Sequence, residues 1–374
     1  MEYSPSSMMS HFSMLEDPRA NNSEHILLEV ITIALCAVIC GADSWVEIAT
    51  FGRAKESWFA TFLQLPCGIP SHDTFGRIFA KLDPKQFQAR FLSWMQGVQE
   101  VTQGQVVAID GKTVRHSYDK LSGRKAIHMV SAWASENRLV LGQVKVAEKS
   151  NEITAIPELL QTLALSGCIV TIDAMGCQKE IAHQVIEQEA DYVLAVKGNQ
   201  PHLQEDVTEL FAYAAETDFE NTDYAKTINK GHGRIEIREC WTLTDPDYLG
   251  YIRHLDEWVG CRSIAMIKSE RRIGTESSTE VRYFISSLNG SAKQTLGAVR
   301  QHWGVENGLH WKLDIAFRED ECRVRQENAA ENFVVLRHVA LNLLNQEKTA
   351  KVGTHAKRLK AGWDERYLLK ILNN

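Results

Sequence analysis

Three acidic residues stand out by what surrounds them. Asp110 closes the apolar run Val106-Val107-Ala108-Ile109, and Asp173 closes Cys168-Ile169-Val170-Thr171-Ile172. Such runs predict strands buried on both faces, and functional groups of α/β sheets gather at the C-terminal ends of strands. Asp-Gly at 110–111 is also an ordinary turn pair, so position alone leaves each Asp open to a structural role. Glu306 lies in His302-Trp303-Gly304-Val305-Glu306-Asn307-Gly308-Leu309-His310-Trp311-Lys312-Leu313. On an α-helix its neighbours are His302, Trp303, Leu309, His310 and Leu313, which predicts a carboxylate on an apolar face. An unpaired charge there is costly, so a cation must offset it. Asp110, Asp173 and Glu306 converging on two Mg²⁺ would make a hard-oxygen site suited to phosphoryl transfer. Competing third acids are Asp314, which falls off the apolar face, and Glu319-Asp320-Glu321, which reads as a solvated helix end. Gly304 and Gly308 weaken the helix and imply that something approaches it closely.

The elements that must position these acids follow from patterning. Residues 1–100 read as helical. The apolar segment Ile26 to Cys40 is too short for the roughly 20 residues of a membrane span and contains Glu29, so it predicts a buried helix. Ser71 looks like the N-cap of a helix through Lys81 with Phe75, Ile78 and Phe79 on one face. That helix and the one before it, around a tight turn, admit a helix-turn-helix reading beside plain helix packing. From about residue 104 the texture becomes α/β. Strands are expected at Val106–Ile109, Ile127–Ala134, Leu139–Val146, Cys168–Ile172 and Tyr192–Val196, with a helix through Leu165 for which Ser150, Asn151 and Thr154 all offer N-caps and another from Gln178 to Gln188. Alternation in Arg234-Ile235-Glu236-Ile237-Arg238 and in parts of 263–268 and 281–287 predicts a β-rich insertion over 205–294. Helical periodicity returns over 295–345, followed by a basic C-terminal tail, 346–374.

Composition narrows the class. The 374 residues are 44% hydrophobic and 24% charged, as in globular proteins. The eight cysteines lack metal-ligand spacing, which argues against a zinc module or disulfide scaffold and for a reducing cytoplasm. Net charge is −7, whereas DNA is held largely by Lys/Arg contacts to phosphates. A DNA-binding role therefore requires local positive charge, and Lys348, Lys351, Lys357, Arg358, Lys360, Arg366 and Lys370 offer some.

The segments AIDGKTVRHS (108–117), KSNEITAIPELL (149–160), VTIDAMGCQKEIA (170–182), YVLAVKGNQ (192–200), HGRIEIR (232–238) and HWGVENGLHWKLDIAFRED (302–320) together resemble the DDE transposases of bacterial insertion sequences. They are most similar to the H-repeat-associated group linked to Rhs elements. The likeness extends to MMSHFSMLEDPRA and GIPSHDTFGRIF near the N-terminus. It implies an RNase H-like mixed-sheet catalytic core with a β-rich insertion and an N-terminal transposase-associated helical domain that could bind DNA. It also implies that Asp110, Asp173 and Glu306 are catalytic and hold two Mg²⁺ ions, with Mn²⁺ able to substitute. The expected partners are double-stranded DNA at element ends and target, with a homodimer during synapsis and no membrane. Alternatives are a transposase-derived DNA-binding protein without strand transfer, and an RNase H-like nuclease.

Candidate phosphate contacts are Lys112, Lys149, Lys197, Arg234, Arg238, Arg300, His302 and Lys312. Each is also readable as an ordinary surface or core residue, and Arg234 and Arg238 flank Glu236 as for an ion pair. Trp303 and Trp311 are expected to pack in the core. Related transposases carry Tyr-x2-Arg-x3-Glu-x6-Lys around the Glu. Here those slots hold Val299, His302 and Leu313, with Arg300 and Lys312 nearby.

Overall fold

The computed structural model of the chain describes residues 8–19, 23–98, 104–118, 123, 125–147, 150–231 and 233–373. Its centre is one mixed sheet. The strands are β1 (Val106–Thr113), β2 (His128–Ala134), β3 (Leu139–Lys145), β4 (Ile169–Ile172), β5 (Asp191–Val196), β6 (Asp223–Gly231), β7 (Arg234–Leu243), β8 (Ser263–Ile273) and β9 (Glu276–Ser286). They lie in the order β3-β2-β1-β4-β5-β9-β8-β7-β6. β1, β4 and β5 run parallel, while β2 and β3 form an antiparallel edge beside β1. This is the RNase H-like mixed-sheet arrangement, preceded by a helical N-terminal region. The insertion strands β6–β9 continue the same sheet, because β9 pairs antiparallel with β5.

Side-chain parity explains why β1, β4 and β5 are apolar on both faces. Val106, Ile169 and Val193 pack beneath the helix Ala292–His302 through Ala292, Leu296 and Ala298. Val107, Val170 and Leu194 point the other way, into the main core with Ile156 and Leu159 of the helix Glu152–Gln161 and Ile181 of Lys179–Glu187. Asn151 caps the first of these helices through the Ile153 N–H, 3.1 Å away. Ser71 likewise caps His72–Lys81.

β1 departs from the sequence reading. It does not stop at Asp110-Gly111 but runs on to Thr113, with Asp110 opposite Ser131 and Gly111 opposite Val130 of β2. Asp-Gly is thus strand here, not turn. Gly111 is crowded: a Cβ would displace the side-chain ends of Glu152 and His128, which pair at 2.6 Å. A second departure is the helix Pro201–Glu216, which precedes β6 inside the segment expected to be β-rich.

The helix Leu27–Ile39 is buried almost all round and packs on the long buried helix Ala329–Gln346. Its one acid, Glu29, accepts the backbone N–H groups of Gln64 and Leu65, which satisfies the buried charge. No helix among the described residues is long and apolar enough to cross a membrane.

The C-terminal stretch keeps five of its seven cations at the surface. It folds as Thr354–Trp363 and Glu365–Leu372, and two of its cations turn inward. The Lys357 ammonium donates to the carbonyls of Leu344 and Glu347. The Arg358 guanidinium donates to the carbonyls of Val38 and Ala316 and lies 4.2 Å from the Phe317 ring centre. Arg358 therefore ties three segments together through their backbone oxygens.

The close approach implied by Gly308 is made by Trp133 of β2. A Cβ on Gly308 would lie 2.6 Å from the buried indole, whereas one on Gly297, in the helix just before, would meet nothing within 4 Å. Gly308→Val is expected to destabilise by about 1–3 kcal/mol or more through overpacking. Gly297→Ala should instead stabilise by about 0.5–1 kcal/mol through helix propensity. Paired thermal unfolding scans check this, and equal midpoints for the two variants would contradict the packing argument.

Candidate active site

The sheet register brings the two aspartates together. Ile109 of β1 lies opposite Ile172 of β4 in the parallel ladder, so Asp110 and Asp173 follow that pair at matching positions. Both share parity with residues facing the helix Ala292–His302: Asp110 with Val106, and Asp173 with Thr171, whose hydroxyl lies 3.0 Å from His302 Nδ1. Asp173 also caps the short turn Ala174–Gly176, its Oδ1 accepting the N–H groups of Met175 (3.0 Å) and Gly176 (3.4 Å). Asp110 Oδ1 accepts its neighbour's Gly111 N–H at 3.0 Å.

Glu306 comes from the other side of a cavity of about 310 Å³ that Asp110, Asp173, Lys197, His302 and Trp303 also line. It is not on a buried apolar face, as the helical wheel predicts. Residues Glu306–His310 form a π turn, and the Glu306 side chain is 53% exposed while Leu309, His310 and Leu313 are buried. A π turn takes an extra residue, so the carboxylate rotates off the apolar stripe toward the cavity. His310 completes the group. Its Nδ1 lies 3.5 Å from Asp110 Oδ2 and 3.7 Å from Glu306 Oε2. One ligand atom from each of Asp110, Glu306 and His310 falls within 4.8 Å of the others.

The electrostatics suit a cation site. Burial, reinforced by the Glu306 and Asp173 carboxylates, pushes Asp110 up to about 7. Burial holds His310 down to about 4 and also lowers His302, so both rings are neutral at neutral pH. The donor set is mostly hard carboxylate oxygen, which suits a divalent metal. His310 Nε2 is moreover buried with no hydrogen-bond partner. The residues present therefore fit a metal centre.

Residues 102–343 match the family described as the transposase DDE domain, and residues 9–95 match its associated N-terminal region. The chain belongs to the DDE transposases. It is 42% identical over 370 residues to YhhI of Escherichia coli (strain K12), named as an H repeat-associated candidate transposase, covering 98% of this chain and 97% of that one. YbfL of the same strain matches equally, at 42% over 370 residues with the same coverage of both chains. A protein from the dhlA 3′ region of Xanthobacter autotrophicus is 44% identical over 281 residues, 74% of this chain and 92% of its own. Among solved structures, a piggyBac transposase synaptic complex with hairpin DNA aligns with 96% of this chain and 76% of its own at 10% identity and a TM-score of 0.42.

The basic residues of this transposase divide sharply. Lys197 is exposed on the cavity wall. Arg300 is exposed and, with Arg234, Arg238, Arg271 and Arg282, lines a neighbouring groove. Arg234 and Arg238 both pair with Glu236 along their own strand, at 3.1 and 2.5 Å, not across strands. Lys112, by contrast, is engaged inside the protein by Asp314 (2.6 Å), Asp320 (3.2 Å) and Glu319 (3.5 Å). Lys312 is half-buried on Asn345, and burial lowers it to about 8. His302 is held by Thr171, and Lys149 lies outside the described residues.

Two further expectations fail here. Glu319 is no solvated helix end: it is fully buried, 3.8 Å from the buried Arg337. Trp303 and Trp311 are exposed rather than core, and the Arg282 guanidinium sits 4.7 Å from the Trp303 ring centre. Sequence reasoning also passed over the Glu152–His128 pair beside Asp110. The only local signal was an acid just after the Asn151 cap.

Asp110 carries a stability signature with a definite sign. Its folded pKa of about 7 exceeds the ordinary carboxylate value of 3.8, so the folded state binds the extra proton and the metal-free protein loses stability as pH rises from about 4 to about 7. Asp110→Asn is expected to stabilise the metal-free protein little at pH 4 and fully above pH 7, by an amount on the order of 2–4 kcal/mol, read as a pH-dependent rise in thermal midpoint. Divalent cation should stabilise the parent protein and not the variant. A pH-independent difference between the two would contradict this electrostatic account.

Proposed function

We propose that this transposase cuts and rejoins double-stranded DNA at the ends of an insertion element in a Mg²⁺-dependent reaction, with Asp110, Asp173 and Glu306 as the catalytic, metal-holding acids. The observation that carries the reading is the matched register of Asp110 and Asp173 with Glu306 facing them across one cavity. Two bound divalent ions, Mg²⁺ or Mn²⁺, supply Lewis acidity to the attacking water or 3′-hydroxyl and to the leaving oxygen. The chain's own residues do the rest. Asp173, fixed by two backbone N–H groups, presents its remaining oxygen atom in a set orientation. Thr171 holds the neutral His302 ring at the cavity wall, where it can hydrogen-bond a phosphate without adding charge. Lys197 offers an exposed ammonium to the strand beside the scissile bond.

The groove of Arg234, Arg238 and Arg300 is the proposed path of the flanking backbone, with Lys149 a further phosphate contact. Lys112 and Lys312 belong to internal networks, and we assign them to support of the site rather than to DNA. In this reading residues 1–100 form the helical domain, and 101–204 with 295–345 the catalytic core. Residues 205–294 are the insertion, two copies meet during synapsis, and the cytoplasm is the place of action. The exposed Trp303, backed by Arg282, favours contact with an unpaired base at the cavity mouth, since indole faces stack on any base.

Purified protein with DNA carrying its flanking inverted repeats should nick in Mg²⁺ or Mn²⁺ and yield joined products with target DNA. Asp173→Asn is expected to reduce strand cleavage by about 10² to 10³-fold or more while leaving DNA binding within a few fold. Undiminished cleavage by that variant would remove Asp173 from the site. Cleavage without joined products would identify a nuclease. Binding with no metal-dependent product would identify a DNA-binding derivative.

A further inference from the structure

Beyond the three acids, we infer that His310 is a metal ligand, so that one cation of this site is held by Asp110, Glu306 and an imidazole nitrogen, while Asp173 serves the other. The inference rests on the proposed metal-dependent reading and adds a ligand that the three-acid scheme lacks.

Geometry carries it. His310 is only 7% exposed, yet its Nδ1 faces the two carboxylates at 3.5 and 3.7 Å. Ligand atoms about one ion with bonds near 2.1 Å lie about 3 Å apart when adjacent and about 4.2 Å when opposite. Both distances fall in that window. Neither contact is a hydrogen bond, and Nε2 is buried without a partner. An ordinary core histidine would satisfy at least one nitrogen. Asp173 is not part of this close group.

The local backbone makes the arrangement specific. Glu306 and His310 open and close one π turn, so a carboxylate and an imidazole are delivered by a single rigid element. Trp133 against Gly308 fixes that turn from the sheet side. If Nδ1 offers its lone pair, Nε2 carries the proton.

A nitrogen ligand alters metal choice. Mg²⁺ favours oxygen, whereas imidazole raises affinity for first-row transition ions. The site should therefore bind Mn²⁺ more tightly than Mg²⁺ by more than an all-carboxylate site would.

The test is pulsed electron paramagnetic resonance of Mn²⁺ bound to the full chain, with calorimetric titration of Mn²⁺ and Mg²⁺. Expected are a ¹⁴N coupling that converts to ¹⁵N on selective histidine labelling, loss of the coupling in His310→Ala, and its retention in His302→Asn. The preference for Mn²⁺ over Mg²⁺ should fall roughly tenfold in His310→Ala. The labelling arm uses the parent protein and stands even if that variant misfolds. Bound Mn²⁺ without nitrogen coupling overturns the inference and leaves the three-acid reading intact. Coupling lost in His302→Asn but kept in His310→Ala also overturns it. Absence of any divalent binding sinks the catalytic reading as well.

Discussion

Carboxylates brought side by side at the ends of parallel strands repel one another, and much of this structure consists of what holds them there regardless. Asp110 cannot retreat, because β1 continues past it and is laddered to β2 as far as Thr113. Asp173 is locked by the N–H groups of the turn it caps. Glu306 is mounted on a π turn braced by Trp133. The arrangement registers in Asp110, whose carboxyl is pushed up to about 7 by burial first and by the Glu306 and Asp173 carboxylates after it.

Charge is managed differently a few ångströms deeper. Behind the site, Lys112 gathers Asp314, Glu319 and Asp320, and Arg337 approaches Glu319 from the interior. This buried network connects β1 to the segment after the π turn, so the strand bearing Asp110 and the helix bearing Glu306 are linked electrostatically as well as by packing.

The sequence makes the candidate acids legible because each sits at a change of pattern: apolar strand to Asp, or helical stripe to Glu. The caps Ser71 and Asn151, the buried helix at 27–39 and the crowding at Gly308 are legible for similar local reasons. What escaped was set by distant partners. That β1 outlasts β4 depends on β2, which has no trace in residues 106–113. The π turn defeats a wheel drawn at 3.6 residues per turn, hence the misplacement of Glu306. Glu319 looks like surface until Lys112 and Arg337 arrive from elsewhere in the chain. The helix Pro201–Glu216 was hidden by the strong two-residue alternation that follows it.

The pairing of Leu27–Ile39 with Ala329–Gln346 bears on how the polypeptide is born. The first helix leaves the ribosome early with apolar side chains on every side, and the helix that covers it is translated some three hundred residues later. At synthesis rates of about 5–20 residues per second, that surface waits on the order of a quarter-minute to a minute for its cover. Asn332 and Asn342 then tie the later helix to its other neighbours, through the backbone of Phe79, Leu82 and Val140. Completion of the core thus waits for the later helix, and a nascent chain halted before that helix would expose a sticky surface to chaperones and proteases.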